Sequence, residues 1–83
     1  MSKALELVVL SPKGEVLRAA PQSVRLPATD GSLGIMPGHR TMLVALGPGD
    51  ILYKEAGLQQ RLSITGGLAE VEQDRVVVLV DAT

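Results

Sequence analysis

Residues 58–80 have the sequence LQQRLSITGGLAEVEQDRVVVLV, in which two breaks separate three short apolar stretches. Gly66-Gly67 forms the first break and Gln73-Asp74 the second. Glycine and aspartate favour turns, whereas alternating Val, Ile and Leu favour strands. The segment therefore predicts three consecutive strands. Because the last stretch, VVVLV, has no polar side, we expect it in the middle of a sheet, covered on both faces.

The same alternation of apolar stretches and breaks extends through the rest of the chain. Turns are expected at Ser11–Gly14 and Gly47–Asp50, and Ala56-Gly57 is a hairpin signal. No long window shows the helical period. The chain is therefore predicted to be one all-β domain over residues 1–83, a sandwich or a barrel. The expected inward-facing sets are aliphatic: Leu5, Leu7 and Val9; Leu62 and Ile64; Val77 and Leu79.

Residues 27–39, PATDGSLGIMPGH, are predicted to form a long loop because they contain three glycines and two prolines. Leu33, Ile35 and Met36 are apolar side chains within this loop. They either plug one end of the domain or contact another protein, and both interpretations stay open at this point.

Composition excludes several classes of function. The 83 residues contain no cysteine and one histidine, His39, which is too few ligands for a usual zinc site. A net charge of −1 and a single aromatic residue, Tyr53, argue against nucleic-acid binding. The apolar runs are too short to span a bilayer or to form a signal peptide. A small, soluble, intracellular type of domain is expected.

The residues that could carry chemistry all have a simpler interpretation. Gly47–Asp50 and Gly66-Gly67 lack the order of a phosphate-binding loop and are interpreted as turns. Glu70 and Glu72 share a strand face but are expected to be solvated. His39 has no Ser, Cys or Asp at a recognisable triad spacing. No catalytic, cofactor-binding or metal-binding residue is predicted, and the chain is not expected to be an enzyme.

Five sequence blocks, in order, resemble the N-terminal β-sandwich of the ε subunit of F-type ATP synthases, which is called δ in mitochondria. The blocks cover nearly the whole chain and are Leu7–Gly14, Leu26–His39, Leu46–Gly49, Thr65–Val71 and Val76–Asp81. The resemblance implies a small ten-stranded β-sandwich of two sheets. It also implies a non-catalytic subunit of the central stalk, or rotor, that couples ion-driven rotation to ATP synthesis.

The resemblance further implies two partners, the γ subunit on one surface and the ring of membrane-embedded c subunits at one end. The implied location is peripheral, on the cytoplasmic face of a bacterial inner membrane or its organellar equivalent. No cofactor and no transmembrane segment are implied. The ring-facing loop consists of Asp30, Gly31, Ser32, Leu33, Gly34, Ile35, Met36, Pro37, Gly38 and His39.

The chain departs from the family pattern in three places. Ser32 stands where many relatives carry an acidic residue, and Thr41 where a proline is common. Family members usually continue past the last of the five blocks into two helices that can restrain ATP hydrolysis and, in some relatives, bind ATP. The sequence stops at residues 81–83, either because the subunit is naturally short or because it is cut at the domain boundary, and in both cases it is expected to couple rotation without restraining hydrolysis. Two alternatives remain: a small β-barrel that binds a ligand or protein, with Tyr53 and the Asp30–His39 loop at its mouth, and an enzyme that uses His39 with an acid.

Overall fold

The computed structural model describes residues 5–35 and 41–81, and within these ranges the protein consists of nine β-strands and no helix. The all-β prediction is confirmed, and the described ranges contain one strand fewer than the ten that the resemblance implies. The strands are β1 (Glu6–Ser11), β2 (Gly14–Ala19), β3 (Ser23–Ala28), β4 (Gly31–Ile35), β5 (Met42–Leu46), β6 (Gly49–Glu55), β7 (Leu58–Ile64), β8 (Gly67–Val71) and β9 (Arg75–Val80).

All nine strands belong to one hydrogen-bonded sheet with the order β2-β1-β9-β8-β5-β3-β6-β7, and β4 pairs with the other edge of β3. The ladder between β3 and β5 narrows to one residue pair, Ala28 and Leu46. The sheet folds over at this pair into two layers, β2-β1-β9-β8-β5 (the first layer) and β4-β3-β6-β7 (the second layer). The two sheets that the resemblance implies are therefore joined through this one residue pair.

The first and last strands of the domain lie side by side. β1 pairs with β9 in parallel, from Glu6 opposite Arg75 to Leu10 opposite Leu79. The remaining pairings are antiparallel, and β9 also pairs with β8. β9 is consequently an interior strand of the first layer, flanked by β1 and β8.

The core lies between the two layers and is entirely aliphatic among the described residues. Leu7 and Val9 enter it from the first layer, and Leu26 and Ile51 enter it from the second layer, each with 0% of its surface exposed. Burying one such side chain contributes about 1.5–3 kcal/mol. The complete cluster is Leu5, Leu7, Val9, Val24, Leu26, Ile35, Leu46, Ile51, Ile64, Ala69, Val71, Val76, Val78 and Val80.

β9 differs from the sequence prediction in which of its side chains face the core. Val76, Val78 and Val80 are buried, whereas Leu79 is 49% exposed on the opposite face. The expectation that β9 is covered on both faces was therefore wrong, as was the inward placement of Val77 and Leu79. A run of five apolar residues carries no polar side chain to mark its outer face, so its sequence leaves the register undetermined.

Residues 27–39 were also predicted incorrectly, since their described part is mostly a hairpin rather than a loop. β3 continues through Ala28, and β4 returns from Gly31, which pairs with Ala28, to Ile35, which pairs with Val24. Pro27 lies inside β3, and its carbonyl accepts a hydrogen bond from Gly47 of the β5–β6 turn (2.9 Å). Strand pairing thus outweighs the loop signal of the glycines and prolines.

Candidate functional site

The predicted ring-facing residues that the structure describes lie along the β3–β4 hairpin. Asp30, Gly31, Ser32 and Gly34 are exposed and Leu33 is half-buried, whereas Ile35 is 0% exposed and belongs to the core. The remaining members, Met36, Pro37, Gly38 and His39, lie outside the described residues. Since a strand rises by about 3.3 Å per residue, the described members extend over about 13 Å from Gly31 to Ile35.

The hairpin tip and β5 enclose an open cleft with a volume of about 490 Å³, here called the hairpin cleft. Thr29 donates its backbone N–H to the carbonyl of Ala45 (3.0 Å), which holds the tip against β5. The cleft is lined by both polar and apolar residues. Its lining residues include Thr29, Asp30, Ser32, Leu33, Leu43 and Ala45.

The outer surface of the first layer carries a row of apolar side chains, here called the apolar face. Ala45 of β5 pairs with Leu68 of β8, and Leu68 pairs with Leu79 of β9. Leu79 in turn pairs with Leu10 of β1. Direct partners on neighbouring strands bring their Cβ atoms within about 5 Å, so these four side chains form one continuous strip across four strands.

Leucines on the apolar face are much more exposed than their type usually is. Leu68 is 41% and Leu79 49% exposed, and Leu43, on the same side of β5, is 67% exposed. Leu43 also lines the hairpin cleft, so the two surfaces are continuous. Contiguous exposed apolar side chains of this kind mark a surface that a partner covers.

Ion pairs surround the apolar face on the β1–β2 side. Arg18 Nη1 lies 2.8 Å from Glu6 Oε2, and Arg18 Nη2 lies 2.9 Å from Glu15 Oε1. The hydrogen bond and the charge of Glu15 raise the pKa of Arg18 above its ordinary value. The side chains of Arg18, Glu6 and Glu15 are each about half exposed, so these ion pairs add little to the stability of the fold. Arg18 offsets one of the two carboxylate charges beside the strip.

The groups considered for chemistry do not converge in the described part of the chain. Glu70 is exposed on β8, whereas Glu72 lies beyond the end of β8 and accepts a hydrogen bond from Arg75 Nε (2.7 Å). Within residues 5–35 and 41–81, no group of three or more His, Asp or Glu side chains is placed to hold a metal ion. The same ranges contain no buried polar side chain that could orient a ligand inside a barrel.

Sequence reasoning missed the apolar face. The signal that could have revealed it is the alternation along β5 and β8, where Leu43 and Leu68 are out of phase with the core residues Leu46 and Ala69. Among residues 5–35 and 41–81, no helix is long and apolar enough to cross a membrane.

Comparison with known proteins places this fold and sequence in a family. The β-sandwich domain of the ATP synthase delta/epsilon chain matches residues 4–83. The chain belongs to this family. The resemblance inferred from the five sequence blocks is thereby confirmed, and the match of the delta/epsilon domain extends over nearly the whole chain.

Curated relatives of this delta/epsilon domain are longer than the chain. The ATP synthase epsilon chain of Symbiobacterium thermophilum is 40% identical over 79 residues, which cover 94% of this chain and 57% of the relative. The epsilon chain of Solibacter usitatus is 41% identical over 81 residues, which cover 98% of this chain and 60% of the relative. The chain thus spans about three fifths of the length of the relatives it matches.

Solved structures share the fold of the delta/epsilon domain at low sequence identity. A chain of the Euglena gracilis mitochondrial ATP synthase (OSCP/F1/c-ring, rotational state 1) matches with a TM-score of 0.85 and 21% identity, covering 93% of this chain and 50% of that one. A chain of the Tetrahymena thermophila mitochondrial ATP synthase central stalk and c-ring matches with a TM-score of 0.75 and 18% identity, covering 98% and 66%.

Proposed function

We propose that this domain is part of the central stalk of an F-type ATP synthase, where it couples rotation of the c-ring to the catalytic head through the γ subunit. It performs no chemistry of its own. Family membership supports the assignment, and the apolar face is the observation that carries it, because a domain whose function is to hold a partner needs a surface of this kind.

The apolar face is assigned to the γ subunit. Leu68 and Leu79 would each lose exposed apolar surface in such a contact, which contributes about 25 cal/mol per Å² removed from water. The ion pairs around Arg18 suit the rim of an interface, where charges remain partly solvated. An extended apolar strip with a polar rim is the usual anatomy of a stable protein–protein contact.

The hairpin cleft is assigned to the polar loops of the c-ring. Asp30 and Ser32 offer hydrogen-bonding groups there, and Leu33 and Leu43 offer apolar contact. Ile35, which the resemblance places on the ring-facing surface, is in the core and supports the hairpin from beneath. With serine at position 32, Asp30 is the carboxylate available in the hairpin for a basic group of the ring.

The mechanism is mechanical coupling. Two packed layers around an aliphatic core resist shear because protein interiors are close-packed. A domain fixed to the c-ring at the hairpin cleft and to γ at the apolar face turns with both partners, so ion-driven rotation reaches the catalytic head without slip. The domain is thereby peripheral to the membrane, on the cytoplasmic face in a bacterium. Restraint of ATP hydrolysis, which the resemblance ascribes to helices, is assigned to parts outside this domain.

Co-purification of the chain with the γ subunit of its own complex, followed by size-exclusion chromatography, tests the assignment. A stable one-to-one complex is expected. Elution of the folded chain apart from folded γ would contradict it and would leave the family match as evidence of shared fold alone.

A matched pair of leucine variants locates the contact. Leu79→Asp lies on the apolar face and Leu58→Asp on β7 of the second layer, and both leucines are exposed, at 49% and 65%. We expect Leu79→Asp to weaken γ binding at least tenfold and Leu58→Asp to leave it within about twofold, since interface cores tolerate charge poorly. Equal effects of the two variants would remove the apolar face from the interface.

A further inference from the structure

The outer surface of the second layer carries a groove of about 320 Å³ that the proposed function does not use. Arg25 of β3 lies directly opposite Leu52 of β6, and Lys54 lies two residues further along β6. Gly34 of β4 keeps the groove open because it has no side chain, and the Arg25 guanidinium lies over it, with Nη2 3.7 Å from where a Cβ would stand. We call this the cationic groove.

The cations of the cationic groove lack acidic partners among the described residues, in contrast to those of the first layer. Arg18 and Arg75 each form an ion pair on their own layer. Arg25 donates to a neutral acceptor, Ser32 Oγ (3.3 Å), and neither it nor Lys54 lies within ion-pair distance of a carboxylate in residues 5–35 and 41–81.

A third cation adjoins the groove. Arg61 of β7 pairs with Leu52 across the ladder and lies 3.6 Å from Asp50 Oδ2. Asp50 also accepts a hydrogen bond from Ser63 Oγ (2.6 Å). The nearby carboxylate of Glu55 accepts the backbone N–H of Ala20 (3.2 Å). The three cations thus exceed the two nearby carboxylates, Asp50 and Glu55, by one, and the surface is positive although the chain has a net charge of −1.

We propose that the cationic groove binds an acidic segment of a protein partner, with the carboxylates of two alternate residues on Arg25 and Lys54. Arg25 pairs directly with Leu52, and Lys54 is two residues further along β6, so Arg25 and Lys54 are diagonal neighbours whose Cα atoms are about 7–8 Å apart. Alternate residues of an extended chain are about 6.6 Å apart and lie on one side, which matches this spacing. The inference is independent of the apolar face and the hairpin cleft.

Charge and shape both favour a protein segment. Arginine forms bidentate contacts with carboxylates, and uncompensated surface cations accelerate the encounter with an acidic partner. The groove is an open trough with Leu52 at its floor, so an extended segment can lie along it and cover the apolar surface of Leu52. Its affinity is expected to fall as salt is added, because the contacts are exposed and screened.

Titration of the ¹⁵N-labelled 83-residue chain with the peptide acetyl-ELELE-amide, followed by NMR, tests this inference. Expected shift changes concentrate on Arg25, Gly34, Leu52 and Lys54. The peptide acetyl-QLQLQ-amide, in which glutamine replaces each glutamate, should produce none of these changes. Shifts spread over all basic residues, or no saturable shift at low salt, would overturn the proposal.

Two matched variants separate a specific groove from a general effect of net charge. Lys54→Glu and Lys13→Glu make the same charge change, and both lysines are exposed, Lys13 in the β1–β2 turn. We expect Lys54→Glu to weaken peptide binding about fivefold or more, because Lys54 contacts the peptide. Lys13→Glu should change the binding less than about twofold, because Lys13 is remote from the groove. Equal weakening by both overturns the proposal. So does binding to phosphatidylglycerol vesicles that Lys54→Glu abolishes while peptide binding persists, since the surface would then serve a membrane.

Discussion

Leu68 and Leu79 are direct partners across β8 and β9, and both side chains are more than 40% exposed. Between them they occupy the centre of the apolar face, while the opposite side of the same two strands carries Ala69 and Val78, each 0% exposed. The first layer is therefore apolar on both sides but buried on one. An exposed apolar pair of this kind promotes aggregation of an isolated domain, whereas it stabilises the contact when a partner covers it.

Replacing Leu79 by serine should reduce self-association of the isolated chain without destabilising its fold. The free energy of unfolding should change by less than about 1 kcal/mol, because a half-exposed side chain loses little burial. Self-association should decrease because the apolar face becomes interrupted. Analytical ultracentrifugation and urea unfolding measure the two effects. Leu58→Ser, at an exposed leucine of the second layer, is the control and should not reduce self-association as much.

Adjacent residues of the β3–β4 hairpin should respond in opposite ways to an added carboxylate. Leu33 packs against the core cluster, so Leu33→Asp should lower the free energy of unfolding by about 2 kcal/mol. Ser32→Asp should leave it nearly unchanged, because Ser32 is exposed and its hydroxyl already faces Arg25. Thermal unfolding of both variants tests this. If both variants lost a similar amount of stability, both faces of the hairpin would belong to the core, and the hairpin would offer no surface to the c-ring.

Gly67→Ala should be among the most destabilising small substitutions in this domain. The φ of Gly67 is 156°, and a Cβ there would overlap the carbonyl oxygen of Leu79 on the neighbouring strand. The backbones of β8 and β9 would have to separate, which we expect to cost about 3 kcal/mol. Gly57→Ala is the matched control, because Gly57 also has a positive φ (79°) but faces open space. Its cost should be about 1 kcal/mol, from backbone strain alone. Chemical denaturation of both variants should reproduce this order, and a reversed order would contradict the close approach of the strands.

Ala56 offers a site at which the domain can be stabilised. It is the one non-glycine residue with a positive φ (53°) in the described ranges, and it precedes Gly57 in the two-residue β6–β7 turn. Turns of this geometry favour Asn-Gly, because asparagine tolerates the left-handed region better than alanine. Ala56→Asn should raise the free energy of unfolding by about 0.5–1 kcal/mol, which for a domain of this size corresponds to a Tm increase of about 3–6 °C.

Calorimetry of Ala56→Asn beside Ala20→Asn checks that prediction. Ala20 is exposed and its φ is not positive, so asparagine at this position should not raise the Tm. A Tm that rises equally in both variants would point to a general effect of asparagine rather than to the turn.

The sequence was sufficient to predict those strands whose ends are marked chemically. Two turns were identified from their proline and glycine residues, because proline restricts the backbone locally and glycine relaxes it. They are the turn marked by Pro12 and Gly14 and the turn at Ala56-Gly57. β4 was missed because Gly31 and Gly34 carry the same local signal, and only pairing with the distant residues of β3 makes the segment a strand. Local propensity cannot contain that information.

The functional surfaces were predictable only in part. The hairpin was identified from its motif, but the burial of Ile35 depends on how the second layer packs. The apolar face was hidden because the run from Val76 to Val80 looks the same whether both its sides or one of them is covered. The cationic groove combines Arg25 of β3 with Lys54 of β6, which are brought together by the ladder and share no sequence pattern.

The position of β9 between β1 and β8 also determines when the domain can fold during its own synthesis. The ribosome makes β1 first, yet β1 gains its second neighbour only when β9, with its last residue Val80, has been made. Until then the nascent β1–β2 hairpin carries an open edge and an uncovered aliphatic face, and such edges invite pairing with other chains. A protein with this strand order completes its sheet only after its ninth strand has been made, and the nascent β1–β2 hairpin needs protection until then.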